Sequence, residues 1–207
     1  MGLYSNLKRG LASLVHPGAE SSGKLGISKA LGIYYPVAVV GLILALIVSY
    51  GYSYAYHTAP TGYFSGSYGH AILLVALYLV LMPIGIFIDA AIYHIVGKYF
   101  LNAWKGDYPK SFAAYTFGIL PFVSLYWLAQ VPLLKIPITL LIAVWSVVMI
   151  VIAFASQHKI RRVDAAVVVM VTFIAALVIV FLIISAVAYS TLSPLGGGLG
   201  APMIPVG

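Results

Sequence analysis

Residues 71–96, AILLVALYLVLMPIGIFIDAAIYHIV, contain one carboxylate and no lysine or arginine, and residues 97–110, GKYFLNAWKGDYPK, bring three lysines at once. A helix rises about 1.5 Å per residue, so some twenty apolar residues cross about 30 Å of hydrocarbon. Only a helix satisfies its own backbone there. The stretch therefore predicts a transmembrane helix that ends in a short basic loop. Working outward, the same pattern predicts spans at 32–50, 111–131, 136–156 and 165–189. Spans three and four are joined by very few residues, with Pro132 and Pro137 bracketing Lys135, which requires an antiparallel hairpin.

The basic residues orient these five spans. Lys8, Arg9, Lys24 and Lys29 precede the first, Lys98, Lys105 and Lys110 follow the second, and Lys159, Arg161 and Arg162 follow the fourth. Only Lys135 lies in another gap. Short loops rich in lysine and arginine stay cytoplasmic, so the N-terminus is expected inside and the C-terminus outside. Leu3, Leu7, Leu11, Leu14 and Val15 recur at helical spacing beside Lys8 and Arg9, which predicts a short amphipathic helix lying in the interface. It is not a secretory signal, because the long apolar run begins only near Leu31. Three segments result: a cytoplasmic N-terminal segment 1–30, a five-helix domain 31–189, and an irregular external tail 190–207 rich in glycine and proline.

Composition narrows the function classes. Of 207 residues 63% are apolar and 7% charged, whereas charged residues make up about a quarter of a soluble domain. The net charge of +7 would suggest nucleic acid in a soluble protein. Here it is spread over short loops on one face, where Lys8, Arg9, Lys98, Lys105, Lys110, Lys159, Arg161 and Arg162 are candidates for lipid-headgroup contacts. No nucleic-acid partner is expected. The chain has no cysteine, which excludes disulfides and thiolate chemistry.

Asp89 is the one carboxylate inside a span, about nine residues and so about 13 Å from the inner boundary. An intramembrane acid is a functional candidate, and Tyr93 shares its helical face, with His94 beside it. The alternative is that Asp89 serves as interhelical glue. Haem between helices needs histidines on facing spans, and the interiors of the other four spans have none. His57 and His70, without carboxylates or cysteines, form a weak metal set. No cofactor and no metal are expected. No GxSxG, HExxH or phosphate loop is present, and Asp107, Asp164 and His158 read as ordinary loop composition. Pro83 with Gly85, and Gly118 with Pro121, are expected to bend spans two and three. The outer loop, with Tyr52, Tyr54, Tyr56, Tyr63 and Tyr68, reads as an aromatic belt.

From span two to the start of span five the chain resembles the Yip1-domain family of five-span membrane proteins. The residues that carry this are Ala90-Ala91-Ile92-Tyr93-His94-Ile95-Val96 before a basic loop, Ser111-Phe112-Ala113-Ala114-Tyr115 with Leu120-Pro121, Trp145, and His158 before the turn into Ala165. Leu14-Val15-His16-Pro17 looks like the opening of the prokaryotic branch. The resemblance implies a five-helix bundle with a cytoplasmic N-terminus and no inherited catalytic residues. Eukaryotic relatives act in vesicle trafficking and bind small GTPases and each other. This chain lacks their long N-terminal region and their acidic-Leu-Tyr-Gly-Pro motif, which puts a GTPase partner in doubt.

The expected function is thus a non-enzymatic polytopic membrane protein, a scaffold or small subunit of a membrane complex, with a membrane-protein partner or self-association. A transporter or proton-coupled subunit using Asp89 is the alternative. The uncharged outer face and absent cysteines fit a prokaryotic plasma membrane, archaeal ones included.

Overall fold

The computed structural model describes residues 3–15, 26–56 and 68–196. Expectations for the turn at Pro17, for His57 and Tyr63, and for the tail past Gly196 lie outside the described residues. The helices are α1 (Leu3–Val15), α2 (Ile27–Tyr56), α3 (Tyr68–Ile95), α4 (Tyr108–Gly118), α5 (Leu120–Leu125), α6 (Lys135–His158) and α7 (Arg162–Gly196). Among the described residues there is no strand. Five segments are long and apolar enough to cross a membrane: Ile27–Ala55, Ile72–Phe100, Tyr108–Gln130, Lys135–His158 and Arg162–Val187. They coincide with the five spans expected.

The chain divides into two units, Met1–Val169 and Met170–Gly207, with the boundary inside α7. In the first unit α4 is central and packs against α2, α3 and α6. Its small residues explain this position, since Ala113 and Ala114 are wholly buried and let neighbouring backbones come close. Gly118 takes this furthest: a Cβ there would stand 2.7 Å from the Cα of Ile150 on α6. In the second unit the chain is helical from Met170 to Gly196. The helix passes the expected end at residue 189. Ser190 and Thr191 tolerate helix, so the apolar run does not set its limit.

The breaks in the helices follow proline and glycine. The third span stops being α-helical at Ile119, resumes as α5 with Pro121 in its first turn, and tightens to a 3₁₀ helix over Tyr126–Gln130. Proline is tolerated there because the first amides of a helix lack internal partners. By contrast α3 runs through Pro83 without interruption. A second 3₁₀ turn, Pro132–Leu134, makes the close link into α6, and Pro137 falls in the first turn of that helix.

At the opposite end α3 passes into a π-helical turn over Val96–Phe100, and Leu101 donates to the Val96 carbonyl at 2.9 Å. The chain then folds back so that Trp104, 3% exposed, lies flat on Gly97, where any side chain would collide with the indole. Helix α6 ends with Lys159 in the left-handed region, φ 55°, and both Lys159 and Ile160 donate to the Ala155 carbonyl, closing the helix. Asp164 in the first turn of α7 suits the positive end of that helix. It accepts two hydrogen bonds from Arg161, each 3.0 Å, which hold the guanidinium pKa above its usual value.

Candidate functional site: two polar junctions on one helix

Helices α3 and α4 run antiparallel, so residues five apart on α3 meet residues four apart on α4. One rung of this ladder joins Asp89 to Tyr115, whose hydroxyl donates to Oδ2 at 2.7 Å. The next joins His94 to Ser111, with Nδ1 2.8 Å from Oγ. A further link comes from Tyr108, whose hydroxyl donates to the Phe87 carbonyl at 2.8 Å. Asp89 is half-buried, whereas His94 is 7% exposed and Ser111 not at all.

Ser111 also reaches α6, where its Oγ lies 3.0 Å from Nε2 of His158. One hydroxyl thus serves two imidazoles from two different helices. A serine has one proton and two lone pairs, and a neutral histidine has one donor and one acceptor nitrogen. The hydroxyl can donate to the acceptor nitrogen of one ring and accept from the N–H of the other, which uses its proton and one lone pair. His158 stacks on Trp104 at 4.4 Å between ring centres and 17° between planes. Its Nδ1 and the Trp104 Nε1 are buried without a hydrogen-bond partner among the described residues. Lys98 and Asp107 lie within electrostatic reach of His94, and Lys110 and Asp107 of His158.

A row of packed rings lies between the two junctions. Tyr93 packs 5.4 Å from both Tyr115 and Phe154, and Phe154 packs 5.3 Å from Trp104. The three residues singled out in the second span therefore divide: Asp89 and Tyr93 belong with Tyr115, and His94 belongs with Ser111 and His158. Sequence reasoning missed the last two as site residues. His158 read as part of the loop, yet it is the last residue of α6 and follows Phe154 by one helical turn, so it shares the inward face. That spacing was the available signal. For Ser111, one polar residue ahead of Phe112 and two alanines, no comparable signal existed.

Chemically, the second junction holds a proton-carrying hydroxyl between two bases, but a fully buried oxygen has no substrate access. Among the described residues no group of three or more His, Cys, Asp or Glu is placed to hold a metal. Of the candidate headgroup contacts, Lys8, Lys105, Lys159, Arg161 and Arg162 are exposed, and Arg9, Lys98 and Lys110 are half-buried. Lys98 also lies 5.5 Å from the centre of the Tyr99 ring. The alternation of the helices gathers the lysines after α3 and the basic residues after α6 at one end of the first unit.

Five helices long and apolar enough to cross a membrane define a multi-pass membrane protein. The Yip1 domain model matches residues 11–184, and the chain belongs to the Yip1-domain family. No curated protein and no solved structure matches it.

Proposed function

We propose that this chain is a non-enzymatic scaffold or small subunit of a complex in a prokaryotic plasma membrane. Its N-terminus is inside, its C-terminal tail outside, and α1 lies in the cytoplasmic interface. The observation that carries this reading is how the interior polar side chains are used. Asp89 is held by Tyr115, and His94, Ser111 and His158 hold one another, which is the pattern of groups that lock helices together. A group engaged in this way is poorly placed to take up and release a solute. The basic end of the bundle supplies contacts to anionic headgroups, and the exposed apolar faces supply surface for a membrane-protein partner or a second copy.

Purification of the full chain in mild detergent tests the proposal, and a membrane protein retained in stoichiometric amount is the expected result. A monomer without partners that drives flux in liposomes, lost in Asp89→Asn at unchanged yield, would establish the transporter reading instead. Orientation is checked separately. The natural chain has no cysteine, so Lys105→Cys gives a single thiol, which an impermeant maleimide should label only in inverted vesicles.

A further inference from the structure

A half-open cavity of about 380 Å³ lies in the first unit between α2, α3 and the broken third span. Gly41 and Ala45 form its floor, Leu74 and Tyr78 one wall, Phe122 and Tyr126 the other. Its origin is local. Gly41 lets α2 touch the backbone of Val123, where a Cβ would run into the carbonyl oxygen, so the end of the third span is drawn onto α2. Helix α3 makes its main contacts with α4 and few with α2, so a gap opens behind this close approach.

The position of the gap within the spans matters. Gly41 sits midway along the first span, Leu74 and Tyr78 in the first third of the second, and Phe122 and Tyr126 in the second half of the third. The cavity therefore occupies the half of the bilayer away from the lysine-rich end, and its mouth opens on hydrocarbon. Its lining is almost wholly apolar, and a buried water requires two to four polar partners, so it stays dry. Leu77 and Leu81 at its rim are each 50% exposed, so lipid chains of the surrounding bilayer reach it directly. Pockets of 300–1,000 Å³ with a few polar groups are typical of small-ligand sites.

We infer that this cavity is a binding site for one hydrocarbon chain of a bilayer phospholipid, inserted from the leaflet opposite the basic loops. The chain enters between α2 and α3, lies along the row Leu74, Leu77 and Leu81, and fills the space above Gly41 and Ala45. It completes the packing that the broken third span leaves open. Nothing in the interior polar junctions is needed for this, so the inference stands apart from the role proposed above.

The test uses the pure full chain in liposomes of phosphatidylcholine and phosphatidylglycerol containing a phospholipid with a diazirine midway along one acyl chain. After irradiation, labelled residues are mapped by peptide mass spectrometry. Labelling of Ala45, Leu74 and Phe122 is expected to exceed that of Val80 and Ile84, on the outer face of α3, by at least fivefold. Filling the cavity with Val75→Phe should abolish that excess and leave Val80 and Ile84 unchanged. Leu81→Trp, at the more exposed rim, serves if Val75→Phe does not fold. Labelling that merely follows exposure, or that persists in the filled variants, overturns the inference. So does a cavity that excludes the lipid probe but is labelled by a diazirine fatty acid or covered in a cross-linked dimer.

Discussion

The second and third spans of this protein treat burial in opposite ways. Across an eighteen-residue window only 6% of the second span is buried, against 61% of the third, although the second is the more apolar. In a soluble protein the order would be reversed, because water drives apolar surface inward. In a bilayer that drive is absent between helices, and association rests on close packing and hydrogen bonds. The third span wins the centre because it has Ser111, Ala113, Ala114 and Gly118, all buried. The second has leucine, isoleucine and valine to offer, and these suit lipid equally well.

The strongest way to break this contrast is to enlarge Gly118. Gly118→Val places a branched side chain against the backbone of α6, and the neighbour cannot yield as a flexible side chain would. A loss at or above the ~3 kcal/mol upper end usual for overpacking is expected, seen as loss of monodisperse protein or a collapsed unfolding midpoint in mild detergent. Wild-type stability would mean that α4 and α6 do not approach this closely. Gly97→Ala is the milder version. It meets the Trp104 ring, which can shift at the expense of its stacking on His158, and about 1–3 kcal/mol is expected.

Next in size are the hydrogen bonds. Ser111→Ala removes a hydroxyl shared by two histidines, and about 1.5 kcal/mol is expected, near the upper limit measured for interhelical hydrogen bonds in membranes. Tyr115→Phe removes one donor from Asp89 and should cost about 0.6–1 kcal/mol. Double-mutant cycles separate these effects from general damage. Ser111 should couple to both His94 and His158, whereas Tyr115 should couple to Asp89 and to neither histidine. Coupling between Tyr115 and His158 as strong as that within each junction would show that the two act as one site.

Much of this contrast was legible in the sequence and part was not, for reasons that lie in the residues. The five spans were readable because an apolar run of the right length has one solution in hydrocarbon. The break near Gly118 and Pro121 was readable because those residues remove what a helix needs. Pro83, expected to bend the second span, lies inside a helix that is continuous from Tyr68 to Ile95. The centrality of the third span was only hinted at by its small residues. The junction at Ser111 was out of reach, because it requires knowing that the end of α6 turns His158 inward over Trp104. Family membership, carried by apolar and degenerate motifs, was readable where the site was not.

The smallest expected effect sharpens the comparison most, because it concerns the face that the fold leaves uncovered. Ile84 on α3 is 54% exposed, and its side chain rests in hydrocarbon whether or not the bundle is assembled. Ile84→Ala therefore removes contacts with lipid from both states. A change below about 0.5 kcal/mol is expected, where the same truncation in a soluble core costs about 2–5 kcal/mol. A loss above about 1 kcal/mol in the pure protein would mean that α3 is covered there by a second copy. A loss that appears only when a co-purifying protein is present would place that partner on the α3 face, turning the least buried span into the interface through which a scaffold acts.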